Sequence, residues 1–115
     1  IAKKKRGRLM NIQFKKGVLE LLVFSLLKDR DHYGYEMVEK ISNHINISEG
    51  TIYPLLRRLS KDGYVSTYLE ESQSGPPRKY YKLTASGYSQ YEDQIDQWYE
   101  FVDGVNSLLR EDEDE

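Results

Sequence analysis

Apolar side chains recur at helical spacing over residues 14–28. Positions three and four apart fall on one face of an α-helix, so this pattern predicts a helix. Leu21 and Phe24 extend the apolar surface around most of the circumference, which indicates a helix buried between two layers. The members of the main apolar stripe are Val18, Leu19, Leu22, Val23, Leu26 and Leu27.

Two further helices are predicted, over residues 35–45 and 49–61, with breaks at 29–34 and 46–48. Ser48 is the expected N-cap of the third helix, and Gly63 marks its end because glycine readily adopts the left-handed conformation found there. One face of this helix is apolar and is expected to contact the core. Its members are Ile52, Leu55, Leu56 and Leu59.

A β-hairpin is predicted next, because β-prone residues at 64–69 and 78–83 flank a turn rich in Ser, Gly and Pro at 72–77. Thr84 is then expected to cap a long helix that ends near Leu109. Arg110 and the acidic residues 111–115 are predicted to be disordered, because neighbouring like charges repel one another.

The order helix, helix, helix, strand, strand, helix predicts a mostly α fold with a small β-hairpin, in the α+β class. A short turn between the second and third helices followed by a hairpin is typical of a winged helix-turn-helix. We therefore expect a basic N-terminal arm at 1–12 and a winged helix-turn-helix DNA-binding domain at 13–84. A C-terminal dimerisation helix at 85–109 and the acidic tail at 110–115 complete the chain.

Charge is distributed unevenly along the 115 residues. The formal net charge of −2 combines a net +6 over residues 1–60 (12 Lys and Arg, 6 Asp and Glu) with a net −8 over residues 61–115 (5 and 13). Such an asymmetry indicates two surfaces with different partners. The absence of cysteine excludes disulfides and cysteine-based metal sites, and it favours a cytoplasmic location.

The outer face of the third helix suits nucleic acid. It combines cationic and hydroxyl side chains, and arginine can pair bidentately with guanine while Lys and Tyr hold phosphates. The alternative is a solvated basic face without a ligand. The residues that we predict to contact DNA here are Gly50, Thr51, Tyr53, Pro54, Arg57, Arg58 and Lys61.

The hairpin tip leads directly into Arg78 and Lys79, two cations beside a protruding turn. Such a pair can bind the phosphate backbone or enter a minor groove. The alternative interpretation is a charged strand that discourages edge-to-edge pairing. We predict that Arg78 and Lys79 contact DNA together with the third helix.

Several motifs, in order and spacing, resemble the PadR family of transcriptional regulators. They are Tyr33-Gly34-Tyr35, the run from Gly50 to Leu56, Arg58-Leu59, Asp62-Gly63, the run from Arg78 to Thr84, and Gly87. The resemblance extends over about residues 14–109 and points to the family's smaller subgroup, with a single C-terminal helix. It implies a dimeric winged helix-turn-helix repressor that binds double-stranded DNA at a palindromic operator and is released by a small molecule.

The last helix carries apolar residues at alternating spacings of three and four, the pattern of a coiled-coil seam. Packing against its own domain is the simpler interpretation, but a lone helix would leave apolar surface exposed, so we predict a homodimer. The first helix is expected to contribute to the same interface. The predicted interface residues are Phe14, Val18, Leu22, Tyr91, Ile95, Trp98, Val102, Val105 and Leu109.

Trp98 is the single tryptophan, and its indole can stack on a planar aromatic molecule. In some short PadR-like regulators a tryptophan at this place does so, which implies an aromatic effector held by Trp98 with Asp96 and Tyr99 as neighbours. The alternative is that Trp98 only fills the seam.

An enzyme is not expected, because the sequence contains no phosphate-binding glycine loop, nucleophile elbow or metal-ligand spacing of histidines. No cofactor, metal or membrane contact is predicted. The alternative from another class is a winged-helix protein-interaction module that uses its acidic last helix on a protein partner and has no role on DNA.

Overall fold

A computed structural model describes residues 17–114 of the chain, with side chains described as far as residue 111. Its elements are helix α1 (17–29), strand β1 (His32–Tyr33), helices α2 (Gly34–Ser42) and α3 (Glu49–Lys61), strands β2 (Val65–Ser72) and β3 (Gly75–Leu83), and helix α4 (Ala85–Asp114). The order confirms an α+β winged helix-turn-helix with a long C-terminal helix. The predicted arm at 1–12 and Phe14 lie outside the described residues.

Helix α3 has the bounds that its sequence predicts. Ser48 occupies the N-cap in an extended conformation, although its hydroxyl contacts the Thr51 hydroxyl at 3.2 Å instead of capping a backbone N–H. At the other end Gly63 has a φ of 82°, and the Tyr64 N–H donates to the Leu59 carbonyl over 3.0 Å. This left-handed termination satisfies the last carbonyls of the helix and directs the chain into β2.

The sheet has three antiparallel strands in the order β1-β3-β2, one more than the predicted hairpin. His32 pairs with Tyr81 and Tyr33 pairs with Tyr80, within a segment that the sequence indicates only as a break between helices. Strands β2 and β3 pair over most of their length, and β3 already begins at Gly75, so the turn between them is shorter than predicted. Strand β1 thereby joins the base of the wing to the start of α2.

The core lies between the helices and the inner face of the sheet. The apolar stripe of α3 is buried as predicted at Ile52, Leu56 and Leu59, while Leu55 is only partly buried. Helix α1 is buried over a wide arc, which agrees with its broad apolar pattern. The remaining core side chains are Leu19, Val23, Phe24, Leu27, Met37, Val38, Ile41, Val65, Tyr81 and Leu83.

The start of α4 is fastened to the end of α3. The Thr84 hydroxyl accepts from the Gly87 N–H at 3.1 Å, which is the predicted cap, and donates to the Gly63 carbonyl at 2.7 Å. Gly87 is required by this approach, because a Cβ there would meet the Tyr64 carbonyl oxygen and lie 2.6 Å from Leu83 Cδ1. The close packing fixes the direction in which α4 leaves the domain.

Helix α4 continues to Asp114, so the prediction of a disordered tail from residue 110 is wrong for residues 110–114. Adding a residue to an existing helix needs no new nucleus, and glutamate is a good helix former. Helix extension and the helix propensity of glutamate together outweigh the repulsion between neighbouring acidic residues. At 30 residues, α4 is about 45 Å long. Within residues 17–114, no helix is both long and apolar enough to cross a membrane.

Candidate nucleic-acid interface

The outer face of α3 presents exposed polar and cationic side chains, as its helical spacing predicts. Arg57 is exposed, and it forms none of the salt bridges found among the described residues. Tyr53 is partly buried on the side of α3 that faces the wing. Burial raises the pKa of the Tyr53 phenol, so this side chain remains a neutral hydrogen-bonding group. The other exposed residues of this face are Gly50, Thr51, Pro54 and Lys61.

The wing contributes two exposed cations, each close to an aromatic ring. The Arg78 guanidinium carbon lies 4.7 Å from the centre of the Tyr33 ring, and Lys79 Nζ lies 5.8 Å from the centre of the Tyr81 ring. Cations over aromatic faces are attracted by the ring quadrupole. Both wing cations therefore have a preferred position before any ligand arrives.

A cleft of about 610 Å³ separates α3 from the wing and brings together the two sets of predicted residues. Arg57 and Tyr53 lie on the α3 side, whereas Arg78 and Lys79 lie on the wing side. The start of α2 closes the cleft from a third side. The remaining lining residues are Tyr33, Gly34, Tyr35, Ser72, Ser74, Gly75, Pro76, Pro77 and Tyr81. The described lining carries cations and hydroxyls and no carboxylate, which suits an anionic ligand.

The cleft depends on the close approach of α2 and α3. A Cβ at Gly34 would lie 3.0 Å from Cε1 of the Tyr53 ring, so a larger residue would displace that ring. Gly34 is buried and follows directly on Tyr33, the N-cap of α2. The Tyr33-Gly34-Tyr35 motif thus supplies two tyrosines to the cleft, and its glycine leaves the space that the Tyr53 ring occupies.

Arg58 differs from the other predicted DNA contacts. Its guanidinium donates to Glu20 of α1 at 3.0 Å and to Asp62, the C-cap of α3, at 3.4 Å. Together with Leu19, Leu55, Thr51 and Pro54, it lines a second, smaller groove of about 250 Å³ on the α1 side of α3. The structure therefore divides the predicted residues of α3 between two sides of the helix, and among these residues only Tyr53 and Arg57 line the wing cleft.

Tyr33 and Tyr35 line the cleft, although the sequence does not predict them as DNA contacts. Tyr33 enters the cleft because β1 pairs with β3, a contact between segments far apart in the chain. The sequence signal for these two residues is the Tyr-Gly-Tyr motif, which is part of the resemblance to the PadR family. The described residues contain no group of three or more His, Asp and Glu that could hold a metal ion.

The transcriptional regulator PadR-like family model matches residues 23–93, which include α2, α3, the wing and the start of α4. That match covers more than half of the chain. The chain belongs to the PadR-like family. It is a DNA-binding transcription regulator, a class of proteins that is generally not enzymatic.

Solved structures of PadR-like proteins share this fold. A PadR-like transcriptional regulator from Bacillus cereus is 39% identical, with a TM-score of 0.77 over 84% of this chain and 96% of its own. A protein from Streptococcus mutans is 34% identical, with a TM-score of 0.78 over 83% of this chain and 89% of its own. An uncharacterized protein from Lysinibacillus sphaericus is 33% identical over 98 residues, which are 82% of this chain and 90% of its own.

Helix α4 of this PadR-like regulator is held by its first half. The Tyr88 hydroxyl donates to the Lys28 carbonyl of α1 at 3.1 Å, and Gln94 Nε2 donates to Glu20 Oε1 at 3.2 Å. Tyr91 packs against the core. Of the predicted interface residues, Val18, Leu22, Tyr91, Ile95, Trp98 and Val102 are partly buried, whereas Val105 and Leu109 are exposed.

Apolar side chains on the second half of α4 are largely exposed in the single chain. Phe101 and Leu109 are each 56% exposed and Leu108 is 62% exposed. Among the predicted effector residues, Trp98 is partly buried, whereas Asp96 and Tyr99 are exposed on the same helix. The apolar surface of this half and the candidate effector residues are therefore adjacent.

Proposed function

We propose that this PadR-like regulator is a cytoplasmic, homodimeric repressor that binds a palindromic DNA operator through α3 and the wing. The observation that carries the proposal is the cleft between these elements, with Arg57 on one side and Arg78 and Lys79 on the other. Arg78 and Lys79 can neutralise phosphates of the DNA backbone, while Arg57 and the outer face of α3 enter the major groove.

The proposed DNA contacts are the exposed face of α3 and the wing pair. Arg57 is the candidate base reader, because its guanidinium projects from the middle of the exposed face and can pair with guanine. Arg78 and Lys79 are assigned to phosphates. The sequence predicts Gly50, Thr51, Tyr53, Pro54, Arg57, Arg58, Lys61, Arg78 and Lys79 as contacts. Among them we assign Arg58 to orienting α3, because Glu20 and Asp62 already bind its guanidinium.

Dimerisation is supported by the exposed apolar side chains of α4. A lone chain would leave Phe101, Leu108 and Leu109 in water, and a second copy of α4 packed along the same seam would cover them. Two copies related by twofold symmetry would present two α3 helices, which corresponds to a palindromic site. The proposed interface also includes Val18, Leu22, Tyr91, Ile95, Trp98, Val102 and Val105, with Phe14 added from the sequence.

Release from DNA by a planar aromatic effector is the second part of the proposal. Trp98, Asp96 and Tyr99 occupy one stretch of α4, next to the surface assigned to the dimer. An effector stacked on Trp98 near the twofold axis would change the angle between the two copies and hence the separation of the two α3 helices. The effector would release DNA because it binds more tightly to an arrangement of the two copies that does not fit the operator.

The DNA proposal is tested with a duplex that the wild-type protein selects from a random-sequence pool. Its affinity is then measured at a series of salt concentrations. Because bound cations release counterions from DNA, we expect the affinity to fall steeply and linearly on a log–log plot. Failure to enrich any sequence, or binding that does not respond to salt, would favour a protein-interaction module instead.

The effector proposal uses the single tryptophan as its probe. We expect a planar aromatic compound to quench Trp98 emission and to release the selected duplex at the same concentrations. Trp98→Phe retains an apolar ring in the seam and serves as the control, since its complex with DNA should persist in the presence of the compound. An aromatic panel that leaves wild-type emission and DNA release unchanged would assign Trp98 to packing alone.

A further inference from the structure

We propose that Tyr33 is a positioning residue for DNA binding, which holds the Arg78 guanidinium of the wing at the mouth of the cleft. The inference rests on the proposed DNA-binding function and adds a residue from outside α3 and the hairpin. Tyr33 belongs to β1 and is the N-cap of α2, so it contacts the wing from the neighbouring strand at the base of the cleft.

The geometry of the pair is that of a cation placed over an aromatic ring. The Arg78 guanidinium carbon lies 4.7 Å from the centre of the Tyr33 ring, within the range of cation–π attraction. A guanidinium is planar and more weakly hydrated than an ammonium, so it can lie on a ring and still use its N–H donors on a phosphate. Tyr33 thus leaves the donors of Arg78 available for DNA.

Tyr33 is itself held in place by the outer face of the sheet. Its backbone N–H donates to the Glu36 carboxylate at 3.1 Å, and its ring centre lies 5.9 Å from that of Tyr80, its partner in register. Tyr80 stacks on Tyr68 at 5.5 Å, and the Tyr68 hydroxyl donates to Asp31 at 2.7 Å. These contacts make a row of three tyrosines, one from each strand, which supports the ring beneath Arg78.

The part of the wing that carries Arg78 has less backbone support than its base. Strand β1 pairs with β3 only at Tyr80 and Tyr81, so Gly75, Arg78 and Lys79 of β3 pair with β2 alone. A two-stranded ribbon is marginally stable in water. The contact between Tyr33 and Arg78 therefore supports the wing beyond the end of β1. It also restricts the Arg78 side chain before DNA binds, so less conformational entropy is lost on binding.

The test is a double-mutant cycle on the affinity for a duplex selected by the wild-type protein. Tyr33→Leu removes the aromatic face, and we expect it to weaken binding about two- to fivefold, the change that corresponds to about 0.5–1 kcal/mol. Arg78→Ala should weaken binding more and should reduce the salt slope by about one. In the Arg78→Ala background, Tyr33→Leu should cause no further loss.

Two control variants separate positioning from other roles. Tyr33→Phe retains the ring and should bind DNA as the wild type does. Tyr68→Leu disrupts the same tyrosine row at the end away from Arg78, and because Tyr80 still contacts Tyr33, its loss of affinity should be smaller than that of Tyr33→Leu. In the free protein, ring-current shifts of the Arg78 side-chain protons should be present in the wild type and in Tyr33→Phe and be lost in Tyr33→Leu.

Each contrary result has a distinct meaning. Additive losses in the cycle, an equal loss in Tyr33→Phe, or an equal loss in Tyr68→Leu would overturn the positioning role while leaving DNA binding intact. If the wild-type protein selects no duplex, the DNA-binding function fails and the positioning proposal fails with it. Thermal unfolding of each variant identifies any loss of affinity that results from unfolding.

Discussion

Glu20 of α1 accepts a hydrogen bond from Arg58 of α3 at 3.0 Å, and its other carboxylate oxygen accepts one from Gln94 of α4 at 3.2 Å. The Glu20 side chain is only 14% exposed, and it links three helices that are distant in sequence. Arg58 also contacts Asp62, so its guanidinium is already engaged in the protein. We infer that Arg58 orients α3 and does not read bases.

Replacing Glu20 should therefore destabilise the fold. Glu20→Ala leaves Arg58 and Gln94 without their shared partner, and we expect a loss of about 1–2 kcal/mol in the free energy of unfolding, because solvent partly screens the half-exposed Arg58. Denaturant titration measures this loss. Glu39→Ala removes an exposed carboxylate from α2 and should change the stability by less than about 0.5 kcal/mol. Equal stability of the two variants would contradict the prediction.

Arg57 and Arg58 are adjacent arginines with different expected roles. Arg57→Ala should cost about 1–3 kcal/mol of binding free energy on the selected duplex and leave unfolding unchanged, because this side chain points into the wing cleft. Arg110→Ala removes an exposed cation far along α4 and should bind as the wild type does. Unchanged affinity of Arg57→Ala at every salt concentration would remove Arg57 from the interface.

Two glycines of α4 should respond oppositely to alanine. Gly87→Ala forces a methyl group against the Tyr64 carbonyl and Leu83, and we expect a loss of about 1–3 kcal/mol in stability. No heavy atom of the described residues lies within 4 Å of a Cβ built at Gly104, so Gly104→Ala should gain about 1 kcal/mol from helix propensity. Thermal unfolding at one fixed protein concentration compares the two. A stable Gly87→Ala protein would disprove the close approach.

His32 should make stability fall on mild acidification. Burial lowers the pKa of His32, the cations Arg30 and Lys40 lower it further, and the Arg30 carbonyl and Glu36 oppose this shift. The unfolded chain therefore binds the proton first. The contribution of neutral His32 to stability is present above its ordinary pKa of about 6.5 and is lost as the pH falls below it towards the folded-state pKa.

The measurement is the free energy of unfolding as a function of pH on both sides of about 6.5. Lys40 Nζ lies 3.0 Å from His32 Nε2, so Lys40→Met removes a like charge and should make the pH dependence shallower. His32→Gln, which lacks the titrating group, should remove this part of the dependence. A wild-type slope that survives in His32→Gln would assign it to the carboxylates.

Charges introduced into the α4 seam should dissociate the proposed dimer. Val105→Glu and Leu109→Glu each place a carboxylate where the second copy would pack, and we expect a weaker dimer by sedimentation equilibrium, at least tenfold in dissociation constant. Ser107→Glu adds the same charge at an exposed polar position of α4 and should leave the dimer intact. A monomeric wild-type protein, or equal weakening by Ser107→Glu, would exclude the seam.

The sequence predicts those parts of the fold that depend on local signals. Helix α3 follows from Ser48, the apolar stripe through Ile52 and Leu59, and Gly63, all within one short segment. Strand β1 could not be predicted in the same way, because two residues carry no periodic pattern and the partner of His32 is Tyr81. Its existence depends on tertiary packing.

The candidate site shows the same limit. A helical projection gives the direction of Arg57 and Arg58, but it cannot reveal that Glu20, 38 residues earlier, already binds Arg58. Nor can it place Tyr33 beside Arg78, since that contact requires the pairing of β1 with β3. The end of α4 differs from the prediction for another reason: extending an existing helix outweighs the repulsion between neighbouring acidic residues.

The Thr84 hydroxyl joins the Gly63 carbonyl, just after the end of α3, to the Gly87 N–H in the first turn of α4. Fraying of either helix end would break a hydrogen bond to Thr84. The two ends consequently belong to one cooperative opening unit, in which the C-terminus of the reading helix and the root of α4 exchange their amide protons together.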